Sequence, residues 1–210
     1  MKIINIAKKD RTNVVVHFDN GENLFLAYEV LLKNGLKKND EISESRFSFL
    51  VRENQLHFIK QRSFRYLARR LHSSSELRLK LKAKGYDAAL IDEVISDLEQ
   101  KQIIDDHSFA VMYVEEKSRN KLWGKKKLHA ELAKRGVKSQ IINEVLDSKL
   151  PEGNDFESAL KLVEKKVRRL KSKNYENKKL KEKILAYLYS KGYDYETSRN
   201  AAESFLKGSK

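Results

Sequence analysis

The stretch Leu132-Ala-Lys-Arg-Gly-Val137 closes a helix in a manner that this chain uses three times. Its counterparts are Leu81-Lys-Ala-Lys-Gly-Tyr86 and Leu188-Tyr-Ser-Lys-Gly-Tyr193. In each, a leucine stands four residues before the glycine, a cation directly before it and an apolar residue directly after it. A glycine just past a helix takes the left-handed conformation without a Cβ penalty, and the next residue folds back onto the third residue from the helix end. The cation complements the negative end of the helix dipole. An apolar residue also stands eight positions before each glycine, at Leu77, Leu128 and Ile184, so each stop closes a helix with an apolar stripe.

Around these stops the pattern stays helical. DAALIDEVISDL, KSQIINEVLDSKL and DYETSRNAAESFL follow as amphipathic helices, and SFRYLARRL, SFAVMYVEEKSR and SALKLVEKKVRRL precede. The unit is helix, helix, glycine stop, helix, in three copies. A unit of about 45–50 residues buries little core alone, so the units are expected to stack in series as an elongated array. The expected fold is mainly α: three tandem three-helix repeats behind a small β-rich N-terminal region. The boundaries read as 1–60 for that region, then 61–106, 107–150 and 151–210, with LPEGND as the linker into a more divergent third copy.

Residues 1–60 carry a different signal. VVVHF is β-branched, and FDNGENLFL sets Asn20-Gly21 between apolar runs, a hairpin signature whose type I′ turn needs φ > 0 at both central residues. Strands are expected near 2–7, 12–18 and 23–28, followed by a short helix ended at Gly35. SRFSFLVREN reads equally as strand or helix.

Lys+Arg number 44 against Asp+Glu 30, for a net charge of +14 over 210 residues. That balance favours an anionic partner. The absence of cysteine excludes disulfides and thiolate metal sites and suits a reducing cytosol. No apolar run approaches the roughly 20 residues of a membrane span, and MKIINIAKKD becomes charged too early for a signal peptide. A soluble, cytoplasmic, monomeric chain with no membrane partner is therefore expected.

The charge is laid down in blocks. Lys60–Lys84 holds nine bases and one acid, Asp87–Asp106 seven acids and one base, Lys117–Lys138 nine bases and one acid, and Lys161–Lys183 eleven bases and three acids. Blocks this long predict a basic surface. The candidate binding residues, chosen on charge, are Arg65, Arg69, Arg70, Arg78, Lys82, Arg119, Lys125, Lys126, Lys127, Lys134 and Arg135. Arg65 and Arg69 are four apart and so share a helical face, as do Arg78 and Lys82. Guanidinium groups clamp carboxylate or phosphate bidentately. Tyr66 and Trp123, placed among the bases, either stack on nucleobases or pack in a core.

Catalytic patterns are missing. No GxxxxGK[ST], GxGxxG, HExxH or GxSxG occurs, and WGKKK lacks the second glycine of a phosphate loop. The five histidines have no ligand spacing. Asp105-Asp-His-Ser108 is the one compact metal candidate, and its simpler reading is that Asp105 or Asp106 caps the next helix. No catalytic, cofactor or metal residue is therefore expected, and the chain reads as a non-enzyme.

In combination and order, ARR followed by SSSELRLKL, IIDDHSFA, and GKKKLHAELAKRGV resemble the RecX family of recombination regulators over about residues 60–206. GLKKNDEI resembles the N-terminal extension of Gram-positive members. Trp123 stands before the family's usual glycine, and the third repeat matches loosely. The resemblance implies a non-enzymatic, mainly negative modulator of RecA. It would bind the RecA–DNA filament and suppress ATPase, strand-exchange and coprotease activities in recombination, repair and the SOS response, with weak nucleic-acid contact. The alternative is a helical protein that binds DNA directly and acts without RecA.

Overall fold

The computed structural model describes residues 1–150, 155–170 and 175–208, so most of the LPEGND linker lies outside the described residues. The chain is mainly helical. Three strands, β1 (Ile3–Lys8), β2 (Asn13–Phe18) and β3 (Asn23–Ala27), precede α1 (Tyr28–Lys33) and α2 (Glu44–Leu67). Eight further helices follow among the described residues: α3 (Ser74–Lys82), α4 (Ala88–Gln100), α5 (Asp106–Lys121), α6 (Lys125–Lys134), α7 (Ser139–Lys149), α8 (Asp155–Leu170), α9 (Asn177–Lys191) and α10 (Tyr195–Gly208). With the C-terminal part of α2 they form three tandem three-helix domains. Two compact units result, one of residues 1–72 and 76–104, the other of residues 73–75 and 105–210.

In the first unit the strands make an antiparallel meander in the order β1-β2-β3. β2 alternates strictly, burying Val14, Val16 and Phe18 on one face. Leu24 and Leu26 of β3 join them against Val30 and Leu31 of α1 and Leu50 of α2. The β2–β3 hairpin exists, but its turn is not type I′. Only Gly21 has positive φ (84°), and the bonds Gly21 N to Phe18 O (3.1 Å) and Phe18 N to Glu22 O (3.0 Å) close a three-residue loop with a bulge. Asn20 needs no left-handed backbone because the bulge supplies the twist. The outer edge of β3 is covered by a side chain. The buried Asn54 amide donates to Phe25 O (2.8 Å) and accepts from Ala27 N (2.9 Å), taking the place of a neighbouring strand.

SRFSFLVREN resolves as the first turns of α2. Ser43 caps it, accepting from Arg46 N, and no glycine or proline interrupts residues 44–67. Residue 60 therefore lies inside a continuous helix. α2 serves two cores, placing Leu50 against the sheet and Ile59 with Leu77, Leu81, Ile91, Val94, Ile95 and Leu98 of α3 and α4.

The residues that set the repeat behave as their spacing demands. Leu77, Leu81, Leu128, Leu132, Ile184 and Leu188 are all fully buried. Gly85, Gly136 and Gly192 all have positive φ. In the second unit the closing bonds are Val137 N to Leu132 O and Tyr193 N to Leu188 O, each 3.2 Å. There the stops also serve as docking points. The end of α9 is laid on the start of α6: Gly124 N donates to Lys191 O (2.9 Å) and Lys126 N to Gly192 O (3.2 Å). Orphan donors of one helix thus meet orphan acceptors of another, with the dipoles head to tail. The end of α6 is treated the same way by Ser73–Ser75, which open α3 and belong to this unit. Ser73 Oγ donates to Arg135 O at 2.6 Å.

Contact is too close for any side chain at these two glycines. A Cβ on Gly136 would lie 2.3 Å from Ser75 Cβ and Oγ, and one on Gly192 2.3 Å from Lys127 N, whereas one on Gly85 would meet nothing within 4 Å. Gly85→Ala should therefore cost only the left-handed penalty of about 1 kcal/mol. Gly192→Ala adds displacement of the α6 backbone and should cost roughly 2–4 kcal/mol. Urea unfolding of both variants checks this, and equal losses would show that the close approach carries no energy.

Candidate functional site

The basic residues singled out by charge fall into two groups, one in each compact unit. In the first, Arg65 is exposed on α2. Arg69 does not share its helical face, because α2 ends at Leu67 with Ala68 as its C-cap and Arg69 N bonds to Tyr66 O (3.1 Å) in a tight turn. The apolar stripe of α2 runs out at Leu67, and the chain then bends into the buried stretch His72–Ser74. Arg70 pairs with Glu76 at 2.9 Å and Arg78 with Asp92 at 2.6 Å, while Lys82 is exposed at the end of α3.

The acidic block supplies counter-ions to part of the basic one. On α4, Asp92 holds Arg78, Glu93 holds Arg52, and Asp97 holds both Lys60 and Lys101. Asp97 is kept below the usual carboxylate range by its bonds from Lys101 and then Lys60. Such exposed pairs contribute little stability, yet they fix where the cations point. A cleft beside them is lined by Glu29, Glu53, His57, Lys60 and Asp97, with Glu53 already bonded to Lys33 and Asn34.

In the second unit Arg119, Lys126 and Lys134 are exposed and make no ion pair or side-chain hydrogen bond among the described residues. Other members of the group have structural partners. Lys125 lies 3.5 Å from Asp147. Lys127 donates to Ser190 O at 2.8 Å and stands 4.9 Å from the Trp123 ring centre. Arg135 bonds Glu131 at 2.7 Å and covers Tyr113 at 4.6 Å. Trp123 packs on the core of the second domain, half-buried under Lys127. Tyr66 packs on the first domain's core beneath Lys80.

Charge reasoning missed a further group that only folding assembles. Lys191, at the end of α9, is held below the usual lysine range, first by burial and then by the positive charges of Lys127, Lys121, Lys165 and Arg169. Lys166 and Lys191 share one ring, standing 5.0 and 5.3 Å from the centre of Tyr187. The Lys161–Lys183 block signalled the charge but not its convergence with α6.

Asp105 and Asp106 are both engaged by donors. Asp105 caps α5, accepting from His107 N and Ser108 N at 3.0 Å each. Asp106 accepts from Ser74 N (2.8 Å) and Ser74 Oγ (3.0 Å), so it caps α3. This second use of the pair is not visible in the sequence. No helix among the described residues is long and apolar enough to cross a membrane.

Comparison with known proteins agrees with this architecture. Family models match three consecutive segments: RecX first three-helix domain at residues 60–98, second at 105–146 and third at 154–201. A regulatory protein RecX from Caldanaerobacter subterraneus subsp. tengcongensis is 31% identical, with 96% of this chain and 98% of the relative covered. One from Clostridium botulinum is 27% identical over 97% and 94%. A crystal structure of regulatory protein RecX superposes with a TM-score of 0.73 at 25% identity, covering 93% and 96%. That of RecX from Lactobacillus salivarius shares the fold, with a TM-score of 0.63 at 22% identity over 72% and 97%.

The Asp105 cap carries a pH signature. Its folded-state pKa is lowered, chiefly by the hydrogen bond from Ser108. The stabilisation is therefore complete above the unfolded carboxylate value of about 3.9 and is lost as pH falls through the lower folded value. Asp105→Ala should cost about 1 kcal/mol at neutral pH. Thermal melts between pH 6 and about pH 2 should show the variant losing less stability than the parent on acidification.

Proposed function

Because the chain belongs to the RecX family, we propose that it is a non-enzymatic, mainly negative modulator of RecA that binds the RecA–DNA filament through its basic residues. The observation that carries this reading is the run of three tandem three-helix domains with cations left exposed on α5 and α6. Residues 61–106, 107–150 and 151–210 act as the repeats in this reading, and residues 1–60 as an N-terminal region joined through α2. A filament is a repetitive polyanion with a protein sheath. Exposed, unpaired cations raise the encounter rate with such a target and contribute salt-dependent affinity.

Arg119, Lys126 and Lys134 carry the test, because Lys125 and Lys127 are tied to Asp147 and Ser190 and reversing them would disturb the fold. Arg119→Glu, Lys126→Glu, Lys134→Glu should leave melting within about 1 kcal/mol of the parent, as surface changes usually do. It should require on the order of tenfold more protein to suppress RecA's DNA-dependent ATPase, a loss of about 1.4 kcal/mol. Co-sedimentation with RecA–DNA filaments should weaken in parallel. A folded variant that inhibits at the parent's concentration would sink the basic-surface reading. The purified protein should itself hydrolyse no ATP and nick no DNA with Mg²⁺ or Mn²⁺. Metal-dependent nicking abolished by Asp105→Asn, Asp106→Asn would overturn the non-enzymatic assignment.

A further inference from the structure

Lys191 occupies a repeated position, the cation directly before a stop glycine, and the three copies of that position are not equivalent. Lys84 is exposed beside Gly85, where an added Cβ would meet nothing within 4 Å. Arg135 bonds Glu131 at 2.7 Å. Lys191 is half-buried, and its stop is docked on α6. A lysine in the last turn of a helix ordinarily has its charge stabilised by the free carbonyls there. At Lys191 that stabilisation is offset. Lys191 O and Gly192 O accept from Gly124 N (2.9 Å) and Lys126 N (3.2 Å), so the positive end of α6 lies against the negative end of α9.

Further cations are packed around it. Lys127 is fixed by its bond to the carbonyl of Ser190, the residue before Lys191, at 2.8 Å and by the Trp123 ring at 4.9 Å. Lys166 of α8 and Lys191 stand 5.0 and 5.3 Å from the centre of the one Tyr187 ring. The charged groups that act on Lys191 are Lys127, Lys121, Lys165 and Arg169, all positive. Burial first, and then this like charge, disfavours the ammonium form and loosens its proton. The neutral amine is the nucleophilic form of lysine, and a lysine beside other cations is activated in this way. The same neighbours attract a phosphate-bearing reagent.

We propose that Lys191 is a modification site, acylated on its side-chain nitrogen by an acyl phosphate. The neutral amine attacks the carbonyl carbon of the donor. The C–N bond forms as the bond from that carbon to the bridging oxygen breaks. Inorganic phosphate leaves with the electron pair, and the proton of the nitrogen passes to solvent. The neighbouring ammonium groups hold the donor's phosphate and stabilise the charge that grows on it as it departs. The product amide carries no charge. Acylation therefore removes one positive charge beside Lys127 and Lys166 and lessens the repulsion between them and residue 191. The backbone contacts with α6 stay as they are, because they use the carbonyls and not the amine. This chemistry goes beyond the filament-binding reading and does not depend on it.

The test incubates the full chain with acetyl phosphate to low conversion and reads acetylation at each lysine by peptide mass spectrometry. Lys84, the matching lysine at an undocked stop, is the internal control. Lys191 should be acetylated at least about fivefold faster than Lys84 near neutral pH. That advantage should shrink toward about pH 10, where ordinary lysines also give up their proton. Added inorganic phosphate should suppress acetylation at Lys191 more than at Lys84, since it competes for the donor's place. Lys165→Gln, Lys166→Gln, Arg169→Gln leaves the buried Leu162, Val163 and Val167 of α8 untouched. It should slow acetylation of Lys191 at least about twofold and leave that of Lys84 unchanged. The pH and phosphate arms use the unaltered chain, so they decide the matter even if this variant does not fold. Acetylation of Lys191 no faster than of Lys84, or an advantage that pH does not change, would overturn the assignment. An unchanged rate in the folded α8 variant would overturn the part given to its cations. An equal preference for Lys191 with uncharged acetic anhydride would overturn the acyl phosphate as the favoured donor.

Discussion

A helix end that carries no Cβ can be laid against the first turn of another helix at a distance forbidden to every other residue, and the second unit is organised by that contact. The carbonyls of Lys191 and Gly192 accept from the first turn of α6, while the carbonyl of Arg135 accepts from Ser73 at the opening of α3. One contact satisfies groups that helix termini otherwise leave to water. It also aligns dipoles and brings the apolar residue after each glycine into a core, as Val137 and Tyr193 show. Leu122 depends on the same arrangement. It holds a left-handed φ of 50° at the end of α5, a conformation costing about 1–2 kcal/mol for a residue with a side chain. Its side chain packs on the third core, and its carbonyl accepts from the Tyr193 hydroxyl at 3.1 Å.

Charge is handled differently in the two units. In the first, α4 sets its acids against cations of α2 and α3, so that Lys60 and Arg78 of the basic block are paired inside the molecule. In the second, Glu131 and Asp147 take up Arg135 and Lys125, while the positive charges of Lys127, Lys121, Lys165 and Arg169 act together on Lys191. Net charge alone therefore overstates the first block and understates the third. What a partner meets is the charge left after intramolecular pairing, and pairing depends on which helices lie side by side.

The Asp105-Asp106 pair illustrates the same economy at a smaller scale. Read as a cluster it suggests a metal; folded, each carboxylate closes the start of a different helix. Adjacent residues in a helix start point in different directions, so neighbours in sequence serve different elements.

The sequence by itself determined the helix stops, the cores and the hairpin, because these depend on spacings of eight residues or fewer. Leu77, Leu81, Leu128, Leu132, Ile184 and Leu188 announce their burial by their distance from a glycine. Asn20-Gly21 announces a hairpin, though not its turn type, since a bulge and a type I′ turn draw on the same residues. Tertiary structure alone decided that α2 runs unbroken from Glu44 to Leu67, that Arg69 leaves the helical face of Arg65, that Asp92 claims Arg78, that Lys127 reaches Ser190 O and that Lys166 and Lys191 share the Tyr187 ring. Those outcomes depend on which residues from distant segments come within a few ångströms. Coulomb and hydrogen-bond energies are fixed at that range, while separation along the chain carries no record of it.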